Sequence, residues 1–177
     1  MKILLWLILI VLVVILGFES RSLEKGTTQH YSIMQLEFAD AAQGKTMLKT
    51  WKQTPYAGKT LLDLVKSNTH TDFFFLIVYT ILLIIHSNGE MQQERNLALN
   101  TLLRLNLFLA VIAGLSDVAE NFILLYDIHH TTDTITYLSS YWVTTLKWAL
   151  IAWILLVWLV SVIHTAIIAQ QKHGYPC

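Results

Sequence analysis

The sequence predicts an all-α integral membrane protein: a four-helix transmembrane bundle with a small helical cap outside the membrane between helices one and two. Two observations predict this fold class. Hydrophobic residues make up 55% of the 177 residues and charged residues only 14%, whereas a soluble domain carries about a quarter charged residues. The apolar residues also lie in four long runs, as expected of helices that cross a bilayer. We therefore treat residues 1–177 as a single membrane domain.

The first predicted span is the apolar run at residues 3–18, directly behind Lys2. Such a run is either the hydrophobic part of a signal peptide or an uncleaved anchor. The residues around its end, Leu16 to Ser20, offer no small-residue cleavage site and no lipobox cysteine. We therefore expect an anchor that remains in the membrane as the first helix.

Residues 19–71 form the predicted cap. Apolar side chains at helical spacing predict one amphipathic helix from Ser32 to Lys52, bent at Gly44. A second short helix is predicted from Leu61 to Asn68. The cap is too short to bury a core alone, so we expect it to pack on the bundle. The side chains expected to make this contact are those of Met34, Phe38, Leu48 and Trp51.

The remaining three spans are predicted at residues 72–87, 102–126 and 140–169. On the second span, Asp72, Tyr79 and His86 recur every seven positions. Two turns of a helix take about seven residues, so these side chains form one polar stripe. A polar loop, residues 127–139, separates the third span from the fourth.

The basic residues near the span ends predict the orientation. Lys2, Arg95, Arg104 and Lys172 fall on one side, while residues 127–139 contain no lysine or arginine. The basic residues of the cap are expected to lie mostly far from the span ends, where they carry little weight. The positive-inside rule then places both termini in the cytoplasm, with the protein in the bacterial cytoplasmic (inner) membrane.

The third span contains a polar focus within an otherwise apolar helix. Asp117, Glu120 and Asn121 are spaced i, i+3 and i+4, so one helix face carries all three. Lys147 on the fourth span lies at a similar depth, roughly 11–14 Å below the outer surface at ~1.5 Å per residue. Charged groups at such depths normally face protein or a water-filled cavity. The candidate ligand- or proton-binding residues are therefore Asp72, Tyr79, Asp117, Glu120, Asn121 and Lys147.

Two interpretations of this focus are open. Asp117 and Lys147 could form an internal ion pair that ties the bundle together and sets the rotation of its helices. Alternatively, Asp117 and Glu120 face a single lysine, which leaves one carboxylate over. A surplus carboxylate in a low dielectric favours a retained proton, a bound cation or a cationic ligand.

The histidines predict no cofactor. His86 and His164 both belong to the inner half of the bilayer, but their different depths disfavour a haem between them. His129 and His130 beside Asp127 lack the spacing of metal ligands, so a solvated loop is preferred and no metal site is predicted. Twelve basic and twelve acidic residues give a net charge of zero, which argues against a nucleic-acid partner.

The chain resembles a group of uncharacterised bacterial four-span membrane proteins. The resemblance touches most of the chain and carries no activity over. It rests on Leu36-Glu-Phe-Ala39 with Trp51, on Asp72-Phe-x-Phe75 with Tyr79, and on the intramembrane stretch Asp117-x-x-Glu120-Asn121.

Three functions are compatible with the polar focus. The first is a site in the outer half of the bilayer for a proton, a cation or an amphipathic, lipid-like ligand. The second is a non-catalytic subunit or scaffold, whose polar face meets the helix of a membrane-protein partner. The third is a small membrane enzyme acting on a lipid-like substrate, with Glu120 or Asp117 as acid–base and Lys147 as electrostatic partner. Membrane lipids are expected as neighbours in each case.

Overall fold

The computed structural model describes residues 2–130 and 137–173. In chain order its elements are α1 (Lys2–Gly26), α2 (Ile33–Glu37), α3 (Ala41–Gln53), β1 (Pro55–Tyr56), β2 (Lys59–Thr60), α4 (Leu61–Gln93), α5 (Leu97–His129) and α6 (Tyr141–His173). Within these described ranges, α1, α4, α5 and α6 are each long and apolar enough to cross a membrane. The predicted all-α, four-span fold class with a helical cap is confirmed.

Helix α4 lies at the centre of the bundle. It packs against α1, α5 and α6, and α5 also packs along α6. Helix α1 contacts mainly α4, and most of its apolar side chains are exposed, as expected of a lipid-facing surface. The bundle therefore has a space between α1 and α6, and α4 lines this space.

Small residues on α5 allow a close approach to α4. Ala110 and Ala113 are fully buried. A Cβ atom at Gly114 would lie 2.7 Å from the Thr80 side chain, so a larger residue there would push the two helices apart. This contact turns the polar face of α5, which follows Gly114 in the chain, toward α4.

The spanning helices are longer than predicted, and α4 is the clearest correction. It begins at Leu61 instead of residue 72, so the predicted separate helix from Leu61 to Asn68 is its first part. Thr60 and Asp63 form a capping box that starts the helix there. Asn68 does not end it, because its side chain donates to Glu19 Oε2 on α1 at 3.0 Å. Its polar group is therefore satisfied between two helices.

The other spans are extended in the same way. Helix α5 begins at Leu97, where the Asn96 side chain accepts hydrogen bonds from the next turn, and it continues to His129. The first residues of the predicted loop at 127–139 are therefore helical, and residues 131–136 of that loop lie outside the described residues. Helix α6 begins at Tyr141 and extends to His173.

The longer helices remove one premise of the predicted orientation. Arg21 and Lys25 belong to α1 and Lys66 belongs to α4. The expectation that the basic residues of the cap lie far from the span ends is wrong for these three. Basic residues therefore flank the spans at both ends, and charge alone does not assign the orientation.

The cap contains two helices where the sequence predicts one. Helix α2 is capped by Ser32, and α3 begins after Asp40, whose carboxylate accepts a hydrogen bond from the Gln43 amide at 2.8 Å. The break therefore lies before Asp40 and not at Gly44. A Cβ atom at Gly44 would collide with the ring of Tyr137, so this glycine is needed for packing and does not bend the helix.

The cap packs on the end of the bundle through a continuous apolar core. Leu48 and Trp51 are buried as predicted, whereas Met34 is 58% exposed and Phe38 is 38% exposed, which corrects the predicted contact face. The break before Asp40 separates the faces of α2 and α3, so Leu36 and Met47 take their place. From the bundle, the core includes Leu23, Leu61, Val65, Leu124 and Ile128.

Replacing Trp51 by alanine should destabilise the whole protein. Removal of a fully buried tryptophan typically lowers the free energy of unfolding by about 3–5 kcal/mol. We expect a clearly lower melting temperature for the Trp51→Ala variant in detergent, and little change for Met34→Ala on the exposed side of α2. Equal melting temperatures for wild type and Trp51→Ala would mean that the cap does not share the bundle's core.

Candidate functional site

Lys147 of α6 lies between two carboxylates of α5. Its Nζ atom contacts Asp117 Oδ1 at 2.9 Å and Glu120 Oε2 at 2.8 Å. The two acids are three residues apart and so project from the same side of α5 toward α6. All three side chains are almost completely buried. The ion pair considered from the sequence is therefore a three-residue cluster with one charge in excess on the acidic side.

Helix α4 is joined to this cluster by two hydrogen bonds. Tyr79 donates its hydroxyl proton to Asp117 Oδ2 at 2.8 Å. Asn121 donates from Nδ2 to Asp72 Oδ2 at 2.7 Å. The structure thus brings together the six candidate residues, Asp72, Tyr79, Asp117, Glu120, Asn121 and Lys147, from three helices.

The start of α6 holds the cap over the site. Ser140 and Thr144 donate their hydroxyl protons to the Glu37 carbonyl at 3.1 and 3.5 Å. Ser139 donates to the Ala39 carbonyl at 2.8 Å, and the Tyr137 hydroxyl donates to the Leu36 carbonyl at 2.8 Å. The bonds to Glu37 and Ala39 satisfy carbonyls at and just after the end of α2, where the short helix offers no backbone donor, and the Tyr137 hydroxyl adds a second donor to the Leu36 carbonyl. They also fix the position of Glu37 relative to α6.

Glu37 is a site residue that the sequence analysis missed. Its carboxyl group lines the same cavity as Asp72, Asp117 and Lys147. Burial, and then the nearby Glu120, raise the pKa of Glu37 to about 8. In the sequence, Glu37 is only one of several charged residues interleaved with the apolar positions of the predicted cap helix. The only signal for it was its place in the Leu36–Ala39 stretch of the bacterial resemblance.

The Glu37 carboxylate has no direct partner within residues 2–130 and 137–173: no ion pair or side-chain hydrogen bond reaches it there. Its backbone carbonyl, by contrast, is bonded to Ser140. The cap therefore places the carboxylate of Glu37, which has no partner among the described residues, at a site that already contains more acidic than basic side chains.

A cavity of about 320 Å³ extends from this charged end between α1, α4 and α6. Its volume falls within the range of about 300–1,000 Å³ typical of small-molecule sites. The predicted stripe of Asp72, Tyr79 and His86 lines it. Because α4 contributes residues from Asp72 to Ser87, the cavity is on the order of 20 Å long at ~1.5 Å per residue. Its middle is apolar, with walls formed by Leu82, Leu83, Ile151, Ile154 and Leu155.

The far end of the cavity is aromatic with a few polar atoms. The Trp6 indole donates to His86 Nε2 at 3.1 Å, and the His86 ring also packs edge-on against Trp158. Ser87 is only 1% exposed. Among the described residues, Ser87 Oγ and Trp158 Nε1 are buried without a hydrogen-bond partner. Buried polar atoms are rarely left unpaired, so this end has unused hydrogen-bonding capacity.

The histidines considered in the sequence analysis lie in different environments. His86 lines the cavity, whereas His164 Nδ1 contacts Glu94 Oε1 at 2.9 Å, and Ser161 donates to the other oxygen of Glu94. His130 follows the last residue of α5 as its C-terminal capping residue and stacks on Tyr126. In the part of the chain that the structure describes, no group of three or more His, Cys, Asp or Glu residues is arranged to hold a metal ion.

Lys147 should be the most sensitive member of the cluster. Replacing it with methionine leaves two buried carboxylates without a cation, and breaking a buried pair from one side costs about 3–5 kcal/mol. Neutralising the whole cluster, with Asp117→Asn and Glu120→Gln added to Lys147→Met, should recover most of that loss.

Thermal unfolding in detergent measures these changes, with Lys49→Met on the exposed face of α3 as the matched control. An unchanged melting temperature for Lys147→Met would contradict a structural role of the ion pairs.

No protein-family model, curated protein or solved structure matches this chain.

Proposed function

We propose that this integral membrane protein binds an amphipathic, lipid-like ligand in the cavity between α1, α4 and α6. The polar end of the ligand lies at the Asp117–Lys147 cluster beneath the cap, and its apolar chain lies along α4 toward His86. One observation carries the proposal: a single cavity joins the buried charges to a long apolar channel.

The gradient of polarity along the cavity supports an amphipathic occupant. Glu37, Asp72, Asp117 and Lys147 line one end, and leucine, isoleucine and aromatic side chains line the rest. A water-soluble ligand would gain nothing from the apolar part, whereas a lipid-like chain buries apolar surface there. A proton or a small cation alone would leave most of the cavity unfilled.

A purely structural role explains less of the site. The pairing of Lys147 with Asp117 and Glu120 accounts for the rotation of α5 and α6. It does not account for an unpaired Glu37 held over the same cavity, or for the buried Ser87 hydroxyl without a partner at the other end. Both features are explained if a ligand occupies the space between them.

The orientation with both termini in the cytoplasm stays a prediction, as does the bacterial cytoplasmic membrane. The ligand site does not depend on it, because the cavity lies within the bundle in either orientation. Protease accessibility of a tag at either terminus in spheroplasts tests this orientation. Cleavage of the tag by external protease would show that the tagged terminus lies outside the cytoplasm.

A photoreactive long-chain alcohol should label the cavity walls. We would add an uncharged C16 alcohol with a diazirine in mid-chain to the protein in uncharged maltoside micelles, and map the labelled peptides by mass spectrometry. Labelling is expected at Leu82 and Leu83, which line the cavity and are not on the exposed surface. The Ile151→Trp variant, which fills the cavity, should lose most of this labelling.

Leu115→Trp is the matched control, because Leu115 is exposed on α5 and is not part of the cavity wall. It should leave the labelling unchanged, and both variants should melt like the wild type. Labelling confined to lipid-facing residues and equal in all three proteins would overturn the proposed function and favour a scaffold that binds no ligand.

A further inference from the structure

The acidic end of the cavity has more negative than positive groups. The one lysine there, Lys147, already contacts Asp117 and Glu120. Asp72 accepts a hydrogen bond from the neutral Asn121 side chain. Glu37 has no partner on its carboxylate among the described residues. Two carboxylates that line the cavity thus have no cation of their own.

Three aromatic residues line the same end of the cavity. Phe75, Tyr79 and Trp148 line the cavity beside the carboxylates, and the Phe75 and Tyr79 ring centroids are 5.3 Å apart. Lys147 Nζ lies 5.5 Å from the Trp148 ring centroid, within the range of a cation–π contact. Carboxylates combined with aromatic faces are the chemistry that recognises substituted ammonium groups.

We infer that the polar end of the ligand is a cation, an amine or quaternary ammonium group on a long apolar chain, held between Glu37 and Asp72 and faced by the three aromatic rings. The inference rests on the proposed function, because it names the head group of the ligand in that same cavity. An anionic head group would find no free cation there, because Lys147 already contacts Asp117 and Glu120, and it would lie against the Asp72 carboxylate.

Glu37 couples this binding to the proton concentration. Burial raises its pKa to about 8, so without a ligand it is mostly protonated at neutral pH. Asp72 from α4, Asp117 and Glu120 from α5, Lys147 from α6 and the Tyr137 hydroxyl just before α6 face it, and α1 contributes the uncharged Trp6 and Leu9 to the cavity. A cation favours the ionised form of Glu37, so binding releases a proton. Affinity should therefore increase as the pH rises toward 8 and level off above it.

Competition against the photoreactive alcohol tests the head group directly. Three competitors share one C16 chain and carry a trimethylammonium, a hydroxyl or a sulfonate group, none of which titrates near neutral pH. In uncharged micelles the ammonium competitor should displace the probe at a concentration about tenfold lower than the alcohol, and the sulfonate should be the weakest. Tetramethylammonium ion, which has the head without the chain, should not compete at these concentrations.

The Glu37→Gln variant assigns the preference to Glu37. It should still be labelled by the alcohol probe, which shows that the variant is folded and the cavity intact, but it should lose most of the preference for ammonium. Glu24→Gln is the control, because it removes the same charge from an exposed position on α1 and should retain the preference.

The pH dependence is the second readout. In the wild type, the potency of the ammonium competitor should increase by up to about tenfold per unit between roughly pH 6 and 8 and then flatten. In Glu37→Gln it should be nearly constant.

The outcomes separate the two proposals. Labelling of the cavity with no preference among head groups, or with a preference for the sulfonate, would overturn the cationic head group and leave the lipid-like ligand in place. Competition by tetramethylammonium as strong as that of the long-chain ammonium would overturn the amphiphilic cation, because the chain would then contribute nothing. Absence of specific labelling by the alcohol probe in the wild type would instead remove the proposed function itself.

Discussion

The shared contact of Lys147 with Asp117 and Glu120 is the interaction on which the rest of the arrangement depends. Removing three charged groups from water is expensive, and it is offset only if each group keeps close partners in a fixed geometry. The cluster therefore fixes the rotation of α5 against α6. Tyr79 donates a hydrogen bond to the second oxygen of Asp117, so the position of α4 relative to α5 is fixed by the same cluster. One polar cluster thus aligns α4, α5 and α6, and α4 and α6 form two of the cavity walls.

The cap completes this arrangement from outside the bundle. Trp51 and its neighbours anchor it through apolar contacts, while the hydroxyl groups near the start of α6 bind the carbonyls at the end of α2. The apolar contacts stabilise the cap, and the hydrogen bonds set its register. Glu37 lies over the cavity because the cap makes its apolar contacts and its hydrogen bonds at the same time. A side chain of the candidate site is in this way supplied by the cap.

The six candidate residues within the spans were predictable because burying a polar group in a membrane span costs free energy, so such residues are rare in an apolar run and easily recognised in the sequence. The pairing of Asp117 with Lys147 followed from matched depth, whereas the hydrogen bonds from Tyr79 to Asp117 and from Asn121 to Asp72 were not predicted. Glu37 was not predictable in this way, since a charged residue in a polar segment has no such cost. Its position depends on contacts with Ser140 and Thr144, which are distant in sequence. The cavity could not be predicted from the sequence either, because it exists only since α1 packs mainly against α4.

The most direct test of a ligand between α1, α4 and α6 is a cryo-EM density map of the protein extracted together with its native lipids. We expect an elongated density along α4, with one end beside the Glu37 and Asp72 carboxylates and the other near His86. Density for α1 packed directly on α6, with the side chains of Trp148 and Ile151 filling the space, would contradict it.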